Sequence, residues 1–182
     1  VENCAVTAES GLGCSDFYLH KSHHVRSQLL PPLPGEAAQF DKVVLAAKSV
    51  AEIIGTYGDP YYVKVDIEHY DAQILRALFN AGIVPPFISA EAQSIEVFAL
   101  LVAQGGYDAF KLVDGYSVES VYSGVWVTGN DHGKPVRYSF PYHSAGPFGD
   151  DVDGEWMTAN NFLRVLAIEG FGWKDIHATN TA

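Results

Sequence analysis

A regular alternation of strand-like and helix-like segments between Lys42 and Val113 is the feature that most constrains this chain. "KVVLAA" at Lys42–Ala47 has the short apolar run of a strand, and Ser49 followed by Glu52 makes the S-x-x-E capping box of a helix that Gly58 stops. A strand over Tyr61–Ile67 leads into a helix over Asp71–Ala81, where Leu75, Leu78 and Phe79 share one face and Gly82 is the stop. Strand Pro86–Ala90, helix Ser94–Gln104 with Ile95, Phe98, Leu101 and Val102 on one face, and strand Tyr107–Val113 complete the order β-α-β-α-β-α-β. Strands separated by roughly 10 to 15 helical residues imply right-handed crossovers, hence an α/β fold with a mostly parallel sheet and helices on both faces.

The flanks are less regular. Val1–Ala8 and Asp16–His20 read as two strands, a hairpin or neighbours, joined by the turn-rich "ESGLGCS", and "LLPPLPGE" at Leu29–Glu36 reads as a surface connection. From Asp114 to Thr158 the periodicity weakens, and a loop region of that size is usually functional or mobile. Its Tyr116, Tyr122, Trp126 and Trp156 serve either to plug the edge of the core or to cover a ligand. A helix over Asn161–Glu169 and a strand in "WKDIHAT" close a chain read as one domain, residues 1–182.

Composition removes several functions. At 182 residues and 48% hydrophobic the chain can bury a core, while 22 acidic against 11 basic residues give a formal charge of −11, which repels phosphate backbones and anionic lipid. Nucleic acid and membrane are therefore not expected partners, and no apolar run approaches the roughly 20 residues of a spanning helix. Cys4 and Cys14 suggest neither a disulfide framework nor a zinc site, and two free thiols fit a reducing cytoplasm.

"YYVKVDIEHYDAQIL" at Tyr61–Leu75 places Lys64, Asp66 and Glu68 where a buried strand leaves the core. Ligands of open parallel sheets bind beyond the carboxyl ends of the strands. Asp66 and Glu68, two residues apart, share a face, Glu91 ends the next strand and Asp114 the one after, so four acids are expected at one rim. The alternatives are an ion-pair cluster sealing the strand end and, for Glu91, a cap beside Ser94. "HKSHHV" with His20, His23 and His24 lacks the spacing of a metal site, and "GDDVDGE" at Gly149–Glu155 mimics a calcium loop without its remaining ligands, so no metal is expected at either.

Four blocks, "YVKVDIEHYDAQIL", "PPFISAEAQ", "GGYDAFKLVDG" and "HSAGPFGDDVDGEW…WKDIHA", resemble in order the FkbM-type family of S-adenosylmethionine-dependent methyltransferases, from about Val43 onward. The first block is similar to that family's K-I-D-I-E-G; His69 stands where the family usually has glycine, and Asp71 where glutamate is commoner. The resemblance implies a Rossmann-like methyltransferase sandwich and methylation of a hydroxyl on a sugar or other small-molecule acceptor. It implies Asp66, Glu68 and Glu91 as catalytic residues, Lys64 and Asp66 toward the S-adenosylmethionine cofactor, and His69, Asp114 and His143 toward the acceptor. "SGLGCS" lacks G-x-G-x-x-G spacing and precedes a strand, so the chain, starting at Val1 with Met157 as its only methionine, reads as the later part of such a domain without its first strands.

Two rival readings remain open. Asp66, Glu68 and Glu91 suit a metal-assisted hydrolase as hard oxygen ligands, and the missing glycine-rich turn suits a non-catalytic interaction module. A sheet edge exposed by missing strands would favour a homodimer.

Overall fold

The computed structural model describes residues 1–128 and 133–180; residues 129–132 of the long loop region lie outside the described residues. The chain forms two compact units, one of Val1–Pro60 with Val65–Val84 and one of Tyr61–Lys64 with Pro85–Ala182.

In the first unit β1 (Ala5–Thr7), β2 (Cys14–His20) and β3 (Phe40–Ser49) form a sheet of order β1-β3-β2. The first two strands are thus not paired with each other. The longer β3 runs parallel to β1 and antiparallel to all of β2, so it satisfies both backbones at once. Ser49 caps α1 (Val50–Tyr57) as expected: its Oγ accepts the Glu52 N–H at 3.1 Å and its own N–H donates to Glu52 Oε2 at 2.7 Å. Gly58, at φ 88°, ends the helix. α2 (Asp71–Asn80) buries Ile74, Leu75, Leu78 and Phe79 and packs beside α1.

The second unit is built on β4 (Tyr62–Val65), β5 (Phe87–Glu91), α3 (Ile95–Ala103), β6 (Ala109–Asp114) and the short α4 (Val118–Val121). A hairpin of β7 (Val125–Val127) and β8 (Val136–Tyr138) follows, then β9 (Met157–Thr158), α5 (Ala159–Glu169) and β10 (Lys174–Thr179). The main sheet has the order β4-β5-β10-β6-β9, with β10 antiparallel to both β5 and β6, and β9 antiparallel to β6. This overturns the expectation of a mostly parallel, Rossmann-like methyltransferase sandwich: the fold is mixed α/β and this sheet is mostly antiparallel. The crossover through α3 does leave β5 and β6 pointing the same way, but they are not neighbours. β10, the last strand, fills the space between them and is buried along all but its first residue.

The two faces of this sheet differ. Under α3 and α5 the rings of Phe98, Phe110 and Phe162 lie 5.2–5.4 Å apart beside Leu101, Leu166, Ile88 and Ile176, all buried. The opposite face carries a row of polar side chains beside the apolar Phe87 and Val113, the latter packed with Val118, Tyr122 and Val152. Among the described residues no helix is long and apolar enough to cross a membrane.

Candidate functional site

β4 stops at Val65, so Asp66 is the first residue beyond its carboxyl end, exposed, with Glu68 half-buried two residues on. Both line a first-unit cavity of about 300 Å³, together with Cys4, Phe17, Val25, Ser27 and Leu29. Glu91, Asp114 and His143 belong to the second unit, and Glu91 is not among the residues of that cavity. Next to Glu68, His69 holds a left-handed backbone at φ 60°, its Nε2 3.5 Å from Glu68 Oε1. Asp71 is 1% exposed in the first turn of α2.

In the second unit the pairing register sets which side chains meet. Asp175 is opposite Glu91 on β5 and Val113 on β6; His177 is opposite Ser89 and Lys111. Alternate residues share a face, so Ser89, Glu91, Lys111, Asp175, His177 and Thr179 lie on one side of the sheet. β4 adds two more: Tyr62 Oη is 2.6 Å from Ser89 Oγ, and Lys64 Nζ donates to Asp175 Oδ1.

This row is nearly dry. His177 is 1% exposed and its Nε2 has no hydrogen-bond partner among the described residues. Burial, reinforced by the positive charges of Lys64 and Lys111, depresses its pKa to about 3, so the ring is neutral at pH 7. Lys111, 4% exposed, donates from Nζ to the Val152 carbonyl at 2.6 Å and lies 4.5 Å from the centre of the Trp156 ring. Burial pulls its pKa down against the opposing charges of Asp150 and Asp153. Burial likewise raises the Tyr62 phenol, whose ring stacks on Phe148 at 4.3 Å.

The cover comes from the segment Phe148–Trp156. Gly149, at φ 64°, passes so close to Phe87 that a Cβ would meet its ring at 3.4 Å. Trp156 Nε1 donates to Asp150 Oδ1 at 3.0 Å, which holds the indole over Lys111. Here the acids of "GDDVDGE" are engaged locally: Asp151 accepts from the Thr128 N–H and hydroxyl, and Asp153 from the Gly154 N–H.

The other predicted residues have local partners. Glu91 Oε2 accepts from Gln93 Nε2 at 2.6 Å, and Asp114 Oδ1 accepts from the Tyr116 N–H at 3.1 Å to open a 3-10 turn. His143, at φ 71°, stacks on Trp173 with centroids 5.4 Å apart. His20 accepts the N–H groups of Ser22 and His23 on Nδ1 and packs edge-on against Phe40. Among the described residues no group of three or more His, Cys, Asp or Glu side chains is placed to hold a metal.

Sequence reasoning missed Tyr62, Ser89, Lys111 and Asp175 as parts of one row. The signal was present, since "AFKLV" and "WKDIHA" carry charges inside buried strands as the Lys64 block does. What hid it was the strand order that makes them neighbours.

The turn in "SGLGCS" does not supply a glycine cradle for S-adenosylmethionine. Gly11 and Gly13 turn from β1 toward β2, not into a helix, and a Cβ on either would meet nothing within 4 Å, so no close backbone cradle exists there. Lys64, expected to face the cofactor, is engaged by Asp175. Comparison of the chain with family models, curated proteins and solved structures finds no match.

Proposed function

We propose that the chain supplies the acceptor side of an FkbM-type, S-adenosylmethionine-dependent O-methyltransferase acting on a hydroxyl of a sugar or another small molecule in the cytoplasm. The observation that carries this reading is the meeting of the four blocks. Lys64 comes from the first, Ser89 and Glu91 from the second, Lys111 from the third, and Asp175 and His177 from the fourth, and all stand on adjacent strands of one sheet face. His69 agrees, because its φ of 60° is the conformation that a glycine of K-I-D-I-E-G adopts without strain.

On this reading the reacting groups lie beyond the carboxyl end of β4, in the first unit. The Lys64–Asp175 pair ties β4 to β10 within the second unit. Asp66, exposed and lining the first-unit cavity, is the group that orients the acceptor hydroxyl or takes its proton, with Glu68 beside it as a second hydrogen-bond acceptor. Methyl transfer needs positioning more than a nucleophile of the protein's own.

The test is calorimetric titration of the intact natural protein with S-adenosylhomocysteine, followed by transfer from methyl-labelled S-adenosylmethionine to a panel of small hydroxyl compounds. Heat with the natural protein, and transfer that Asp66→Asn abolishes while binding persists, is the expected result. Absence of any heat would overturn the proposal.

A further inference from the structure

Lys111 has no role in the reading above beyond the row it belongs to. Lys21, Lys42, Lys48 and Lys64 each have a carboxylate within ion-pair distance. Lys111 is more deeply buried than any of these, yet its partners are a neutral carbonyl and an indole ring. It also borders a second-unit cavity of about 480 Å³, at the part of β6 that the two-residue β9 leaves uncovered.

We propose that Lys111 is an amine nucleophile that captures neutral aldehydes or ketones entering this cavity and holds them as imines. Three observations point the same way. A lysine withdrawn from water loses most by carrying charge, so the free amine is more accessible here than on an exposed lysine, and burial does lower its pKa. The Val152 carbonyl, as an acceptor, fixes Nζ through one N–H and leaves the nitrogen lone pair unused once the proton is lost. Lys111 lines the cavity, and the other charged lining residues, Asp114, Asp153, Glu155 and Glu169 against Lys174 alone, leave a negative balance that repels anionic carbonyl compounds and makes neutral ones the class admitted.

The chemistry is a condensation. The amine nitrogen forms a bond to the carbonyl carbon, giving a carbinolamine; both amine protons then leave with the carbonyl oxygen as water, and a C=N bond remains. No oxidant or reductant takes part.

The test uses the unsubstituted chain, so it depends on no variant folding. Protein is exposed to less than one equivalent of benzaldehyde with cyanoborohydride, which reduces any imine to a stable benzylamine, and the adduct is located by peptide mass spectrometry. Lys111 is expected to carry the adduct at least about tenfold more than Lys42 or Lys48, as a desolvated amine should. Labelling spread evenly over the exposed lysines, or absent from Lys111, overturns the proposal. A parallel reaction with glyoxylate, an anionic aldehyde, is expected to label Lys111 at least about tenfold less, through repulsion by the rim. Equal labelling by glyoxylate overturns the assignment to neutral carbonyls.

Discussion

Lys64 and Asp175, 111 positions apart in the chain, form an ion pair on the polar face of the second unit's sheet, with Asp175 only 6% exposed in its side chain. Removing one partner takes from the other the opposite charge it meets in this pair. Asp175→Ala is expected to destabilise the protein by about 3 kcal/mol, the low end for a buried pair because Lys64 keeps some contact with solvent. Lys64→Met combined with Asp175→Leu should recover most of that loss, since the double change removes both desolvated charges. Urea denaturation of the four proteins in the cycle measures this, and additive losses would show that the two residues do not act as a pair.

A gain of stability is expected at His69. Its φ of 60° costs a residue with a Cβ about 1 kcal/mol, and glycine relieves that cost. Against it stand glycine's larger loss of chain entropy and a half-exposed contact with Glu68, each worth less than about 1 kcal/mol. His69→Gly should therefore be neutral to stabilising, whereas His69→Val, β-branched at the same φ, should lose about 1 kcal/mol or more. A thermal melt in which valine outlasts glycine would refute the strain.

Local features were legible from the sequence and long-range ones were not. The capping box at Ser49 and Glu52, the glycine stops at positions 58 and 82, and the apolar stripe of α2 are all written within one or two helical turns, and each is found where expected. Strand order is not written locally. "KDIHAT" looks the same whether it pairs at an edge or between β5 and β6, and only the completed sheet decides. The site followed the same rule: Asp66 and Glu68 share a cavity because they are two residues apart, while Lys111, Asp175 and His177 become neighbours only through register.

Loss of the Ser49 hydroxyl should be felt at α1. It accepts the Glu52 N–H and also lies 2.9 Å from Ser10 Oγ, at a position with no solvent exposure. Ser49→Ala is expected to cost about 1–2 kcal/mol, and Ser49→Thr, which keeps the oxygen, less than half of that. Chemical denaturation with both variants separates the cap from the space it occupies; equal losses would assign the effect to packing.

His177 makes acid stability a readout of the buried row. Its pKa is about 3 in the folded chain against 6.5 as a free side chain, so between those values the unfolded chain binds a proton that the folded chain refuses. Stability must then fall as pH drops below about 6.5, by up to roughly 1.4 kcal/mol per unit, and the loss levels off only near pH 3. Glu2 and Glu52, whose folded pKa values are lowered from 4.5, add losses of the same sign but only below that value. The interval from pH 6.5 to 5 lies above the range in which Glu2 and Glu52 contribute, and Lys64, Lys111 and Asp175 are the charged groups that face the ring, so substitution of the histidine is what assigns the slope. His177→Gln should flatten the dependence of the urea midpoint across that interval, and in the unsubstituted protein the His177 ring resonances should not titrate above pH 5. A midpoint slope unchanged by the substitution, or a ring that titrates near 6.5, would mean that the imidazole is reached by water and that the row is not closed.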